Sequence, residues 1–116
     1  DTGSTNYKYR YLYGTGSSTG TGAATTDQWC YIGDSNITSS TSNNFTSADV
    51  YIPNYLGNGY KTVSSDLCME NNTTTTYTYL AGNTWLSTSA ITSLSFITTA
   101  SFVQYSTATL YGISKS

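Results

Sequence analysis

Histidine is missing from this 116-residue chain, proline occurs once, and charged residues make up only 9% of it. Without histidine neither a Ser-His-Asp nor a Cys-His arrangement can be assembled, and with no CxxC pair nothing matches zinc-ligand spacing. Four basic against six acidic residues give a net charge of −2. No basic run offers itself to phosphates, so nucleic-acid binding is not expected. Apolar runs stay far short of the roughly 20 residues of a membrane helix, which argues against membrane insertion. The residues after Asp1 show no secretory leader pattern.

The few reactive side chains that are present do not form a motif. Cys30 and Cys68 are the only cysteines, and their spacing leaves a disulfide and two free thiols both open. Asp66 and Glu70 are the nearest carboxylates to a glycosidase pair, but that chemistry needs carboxyls about 5 to 9.5 Å apart across a cleft, and these share one short segment. Asp27, Asp34 and Asp49 could offer oxygens to calcium, yet no DxDxDG loop holds them. No metal or cofactor is expected, and no enzyme. Four matches to the glycosylation pattern, at Asn36, Asn44, Asn71 and Asn72, are what chance supplies in a chain rich in Asn and Thr.

What remains is a hydroxyl- and phenol-rich chain: Ser and Thr fill about a third of it and there are 12 Tyr. Aromatic content of 15% separates it from disordered polar chains. At this length one domain with a modest core is expected over 1–116.

Period-two alternation runs through the chain. Asn6 to Tyr13 places Tyr7, Tyr9, Tyr11 and Tyr13 on one side of a strand and Lys8, Arg10 and Leu12 on the other. The Tyr face should pack inward or against a neighbour, with an aromatic platform for sugar rings as the sharper alternative. Gly14 to Thr26 has no apolar pattern and reads as a long loop. Gln28 to Ile32 returns to strand character, as do Phe45 to Pro53, Tyr60 to Val63 with Asp66 to Met69 as one strand or a pair, and Thr73 to Leu80. Asn54 to Gly59 carries turn chemistry, Ala81-Gly82-Asn83 a connection, and Thr84 to Leu86 a further short strand. Ala90 to Ile113, with Leu94 and Phe96 alternating against Ser93 and Ser95, reads as a hairpin at the heart of a sheet. Seven or eight short strands without a helix predict an all-β antiparallel sandwich.

Three stretches go further. The tail WLSTSAITSLSF...SFVQYSTATLYGI resembles the closing half of a jelly-roll-like module of tailed-bacteriophage virion structural proteins. DTGSTNYKYRYLYGTGSS is similar to its opening, and VYIPNYLGNGYKTVSSD to its middle. The resemblance covers essentially the whole chain and rests on structural motifs. It implies a jelly-roll-like sandwich that lacks the module's N-terminal strands, so that residue 1 is not the biological start. It also implies a virion-surface location on head or tail appendage, with assembly in the bacterial host cytoplasm.

The function implied is non-enzymatic: a capsid decoration or cement protein, or an appendage module, binding other virion proteins and its own copies, with a trimer expected. The alternative is a tail-fibre module that binds a receptor or host-surface glycan. Aromatic residues commonly anchor interfaces and cores, so the candidates are Tyr7, Tyr9, Tyr11, Tyr13, Trp29, Tyr51, Tyr55, Trp85 and Tyr111.

Overall fold

A computed structural model of the chain describes residues 5–36, 43–72 and 76–113. Five strands, β1 (Tyr7–Gly14), β2 (Thr19–Asp27), β3 (Thr46–Tyr51), β4 (Lys61–Glu70) and β5 (Thr76–Trp85), form one antiparallel sheet in the order β2-β1-β5-β4-β3. The described residues contain no helix. The all-β expectation therefore holds. The seven or eight strands and the second sheet do not appear: five strands in a single layer stand in their place among the described residues.

Pairing fixes which side chains share a face. On the inner face the rows run Asp27–Tyr7–Trp85–Lys61, then Tyr9–Asn83–Val63, Gly22–Tyr11–Ala81–Ser65 and Gly20–Tyr13–Tyr79–Leu67. β4 shows the resulting alternation in full, every second residue from Lys61 to Met69 being buried. Leu67, Met69 and Tyr79 form the core, with Tyr11, Tyr13, Tyr31 and Tyr77 packed against it. Burial of these side chains, at about 25 cal/mol per Å² of apolar surface, is the main stabilisation available to so small a sheet.

Two readings of the sequence are corrected here and one open alternative is resolved. Gly14 to Thr26 is not one loop: only Thr15 to Ser18 turn, and Thr19–Asp27 is the edge strand β2. The turn is tied by hydroxyls, the Ser17 and Ser18 amides both donating to Thr15 Oγ1. Glycine weakens a strand because it offers no side chain to pack. In β2 the neighbouring strand supplies what is missing, since the rings of Tyr13 and Tyr11 lie across Gly20 and Gly22, where a Cβ would come within 2.5 and 2.3 Å of ring atoms. Ala81-Gly82-Asn83 is not a connection either. It is the middle of β5, the central strand, and Asn83 is buried there. Of the two alternatives for Tyr60 to Val63 and Asp66 to Met69, one strand or a pair, the structure shows one ten-residue strand, β4.

Two further segments expected to be strands are not. Gln28 to Ile32 runs as irregular chain within a strap, residues 28–36, over the inner face. Polar residues stitch it down: the Tyr31 amide donates to Asn83 Oδ1 at 2.8 Å, Ser65 Oγ to the Ile32 carbonyl at 3.4 Å, and Asn36 Nδ2 to the Glu70 carbonyl at 3.0 Å. Gly33, at φ 126°, presses so closely that a Cβ would meet Leu67 at 3.0 Å and Tyr79 at 3.2 Å. The strap takes the place of a second sheet over this face.

Ala90 to Ile113 is the larger correction. The segment after β5, 86–113, forms no strand and shows only an isolated bridge at Phe102. It leaves the sheet along Asn6, whose carbonyl accepts from the Leu86 amide at 2.7 Å, and passes the β3–β4 connection, where the Ile91 amide donates to the Tyr55 carbonyl at 2.9 Å. Its only local turn is Val103 to Ser106, with Tyr105 at φ 69°. Alternation promised strands, but β5 is already paired on both sides, by β1 and β4. No central ladder position is left for this arm within its own chain.

Candidate functional site

The aromatic side chains divide between two environments. Tyr9, Tyr11 and Tyr13 follow one another along β1 with ring centroids 6.1 and 6.2 Å apart. Tyr31 from the strap closes over them, 5.4 Å from Tyr9 and 4.6 Å from Tyr11. Tyr79 joins from β5, 5.8 Å from Tyr13 and edge-on to Tyr31 at 6.0 Å. At the end of the row Tyr7 stacks on Trp85 at 6.5 Å. Offset and tilted pairs at these separations are favourable beyond their area. Five of the nine candidate residues, Tyr7, Tyr9, Tyr11, Tyr13 and Trp85, thus belong to a half-buried layer between sheet and strap.

The other four are not brought together with them. Trp29, Tyr51 and Tyr55 are about half exposed, and Tyr111 is 82% exposed. Tyr51 stands on the outer face of β3, opposite Ser64. Tyr55 lies in the β3–β4 connection beside the arm, and Tyr111 is near the arm's end.

Residues outside the nine aromatic candidates organise the inner layer. Asp34 accepts hydrogen bonds from Tyr31 at 2.9 Å and Tyr79 at 2.6 Å, one on each carboxylate oxygen. Burial, followed by the hydrogen bond to Asp34 and its charge, raises both phenols above their ordinary value of 10.0. Tyr9 is also raised, first by burial and then by Asp27. Tyr79 lies within the strand expected over Thr73 to Leu80 without being singled out there, and Asp34 is weighed from the sequence only as an oxygen for calcium. Lys61 is buried in the inner-face row beside Trp85, its Nζ donating to the Gly59 carbonyl at 2.6 Å.

Cys30 and Cys68 are free thiols. Cys68 is exposed on the outer face of β4, whereas burial pushes the Cys30 thiol up to about 11. Among the described residues no three Cys, Asp or Glu side chains gather as metal ligands, and no helix is long and apolar enough to cross a membrane. Asn36 and Asn44 are both buried, which leaves their amides no room for a sugar.

Two surfaces remain open. The outer face of the sheet carries Lys8, Arg10 and Leu12 on β1, Leu80 and Gly82 on β5, Ser64 and Asp66 on β4, and Asp49 and Tyr51 on β3. A shallow depression lies at its middle, around Gly82, between Arg10, Leu12, Ala23, Ser64 and Leu80. The arm is the second surface. Leu94, Phe96, Ile97, Phe102, Leu110 and Ile113 stand exposed along it, Leu110 and Ile113 at 83% and 81%, and no charged residue interrupts 86–113. These are large apolar side chains left open to solvent along one uncharged segment. No protein family, curated protein or solved structure matches the chain.

Proposed function

We propose that this chain is a non-enzymatic structural module of a bacteriophage particle, a capsid decoration or cement protein or a piece of an appendage, that binds neighbouring subunits through its arm. The observation that supports binding is the arm itself: 28 residues, Leu86 to Ile113, without a charge, exposing apolar side chains and finding no place in their own sheet. Strand-forming sequence that its own chain leaves unpaired gains ladder hydrogen bonds by adding to another chain. The edges β2 and β3 present unpaired backbone for it. On this reading the jelly-roll-like sandwich is completed between chains, a homotrimer being the expected assembly. The particle assignment rests on the sequence resemblance and places the chain on the virion surface after assembly in the host cytoplasm.

Electron microscopy of particles made in the presence of a labelled chain tests the assignment: label in ordered positions on head or appendage supports it, and mature particles that carry no label overturn it. Binding through the arm is tested by light scattering. Leu110→Ser with Ile113→Ser should shift the chain toward monomer while its circular dichroism is unchanged, and unaltered association would remove the arm from the account. A second reading, recognition of a host-surface glycan, is favoured by the exposed rings of Trp29 and Tyr55. It requires that the chain bind host polysaccharide and that Trp29→Ala or Tyr55→Ala abolish binding.

A further inference from the structure

We infer that the outer face of the sheet is a self-complementary interface on which a second copy of this chain packs face to face, forming across two chains the paired layers that one chain lacks. The inference concerns a different surface from the arm and does not depend on the particle assignment.

The distribution of charge carries it. Cations on this face lie on β1, as Lys8 and Arg10; anions lie on β4 and β3, as Asp66 and Asp49. The strand between them, β5, is the third of five. A twofold axis along β5, in the plane of contact, sets β1 of one copy over β4 of the other and β2 over β3. The registers set Leu12 over the other copy's Asp66, Thr21 over Asp49, Lys8 over Thr62 and Arg10 over Ser64. Arg10 is then one row from Asp66 and within diagonal reach of it, so the Arg10–Asp66 pairing forms twice, as an isologous contact requires. Two sheets related in this way have aligned strands, one of the ordinary geometries for sheet packing.

Three further observations agree. Asp49 and Asp66 stand directly opposite each other on neighbouring strands, an arrangement unfavourable in an isolated sheet and relieved when cations arrive from across the interface. No ion pair among the described residues engages these two acids or Lys8 or Arg10. The same axis leaves Tyr51, 56% exposed, over the partner's Ala23, because both belong to the row Tyr51–Ser64–Gly82–Arg10–Ala23. The small residues of that row form the depression, and the ring of Tyr51 fits a place where the sheet has least side chain. Leu80, on the central strand, meets its own symmetry mate.

Size is sufficient. Five strands about 4.8 Å apart and about eight residues long at about 3.3 Å each cover roughly 600 Å², so two faces bury about 1,200 Å², the lower bound of a specific interface. The arm is the less suitable occupant of this face, since it has no charge to offer Lys8, Arg10, Asp49 or Asp66.

Charge exchange tests the proposal on the full chain. Arg10→Glu and Asp66→Arg should each weaken dimerisation at least about tenfold in sedimentation equilibrium, and the double variant, which restores the pairing in reverse, should return to within about threefold of the parent. Asp66→Arg also removes the acid-on-acid contact within the chain, so circular dichroism should show it fully folded. A short bis-maleimide, applied to Cys68→Ser chains, should link copies through L80C, near the axis, and not through T21C, far from it. Cys68→Ser alone serves as the blank for Cys30. Dimerisation indifferent to both charge variants, a double variant as weak as the singles, or equal linking through T21C would each overturn the proposal.

Discussion

Strand β1 and the arm are written in the same alphabet, large apolar or aromatic residues separated by small or polar ones, yet β1 is held between two neighbours and the arm between none. Tyr9, Tyr11 and Tyr13 meet rings from the strap and from β5. Leu94, Phe96 and Leu110 meet solvent. The difference is one of supply rather than of propensity. Strand preference reports how a side chain fits a pleated, half-buried surface, and that surface exists only where a neighbouring strand has a free edge and a covering layer.

Substitutions should separate the two regions sharply. The largest contrast is between Leu67→Ala, which empties a core position 3% exposed and should cost about 2–5 kcal/mol, and Leu110→Ala, which should stay within about 0.5 kcal/mol for the isolated chain. Chemical denaturation of both variants measures it. Next comes a pair of glycines. Gly22→Val drives a side chain into the Tyr11 ring, itself pinned 4.6 Å from Tyr31, and should cost about 1–3 kcal/mol. Gly112→Ala meets nothing within 4 Å and should leave the denaturation midpoint unmoved.

Smaller in size, but more specific, is the response to alkali. Tyr31 and Tyr79 keep their protons more tightly in the fold than at the ordinary value of 10.0, chiefly through burial and then through Asp34. The stability they contribute is whole below about pH 10 and is lost as the pH climbs from there toward the folded values, because the unfolded phenols ionise first. Denaturation midpoints should therefore fall above pH 10, and Tyr31→Phe should flatten the fall. The smallest effect is a rate. Cys68 should react with a thiol reagent at pH 8 as fast as a free peptide, and Cys30, buried and pushed up to about 11, only slowly until the strap lifts.

These contrasts also mark how far the sequence could be read. β1 was legible because Tyr7 to Tyr13 alternate without a break, and β3 and the turn at Asn54 follow their local signals. β2 was not, because Thr-Gly-Thr-Gly becomes a strand only when the rings of Tyr11 and Tyr13 cover its glycines, a contact made by the neighbouring strand. Gly82 misled in the same way: a residue suited to turns occupies the central strand, where the inward side chains of Ala81 and Asn83 are buried on either side of it. Tyr77 and Tyr79 were expected within a strand, but the inner layer they share with Tyr31 depends on a strap held by Asp34, Ser65 and Asn83, ordinary polar residues whose partners are distant in sequence. In the arm the alternation was read as a hairpin and no strand forms, because β5, the central strand it would need beside it, is already paired by β1 and β4.

Because 86–113 contains no Asp, Glu, Lys or Arg while the outer face of the sheet carries both signs, ionic strength would act on one of the two proposed contacts and not the other. Raising it from dilute buffer to about 1 M shortens the screening length from tens of ångströms to about 3 Å. Contacts between faces would loosen and contacts through the arm would hold. A particle held by such arms would keep its seams in brine.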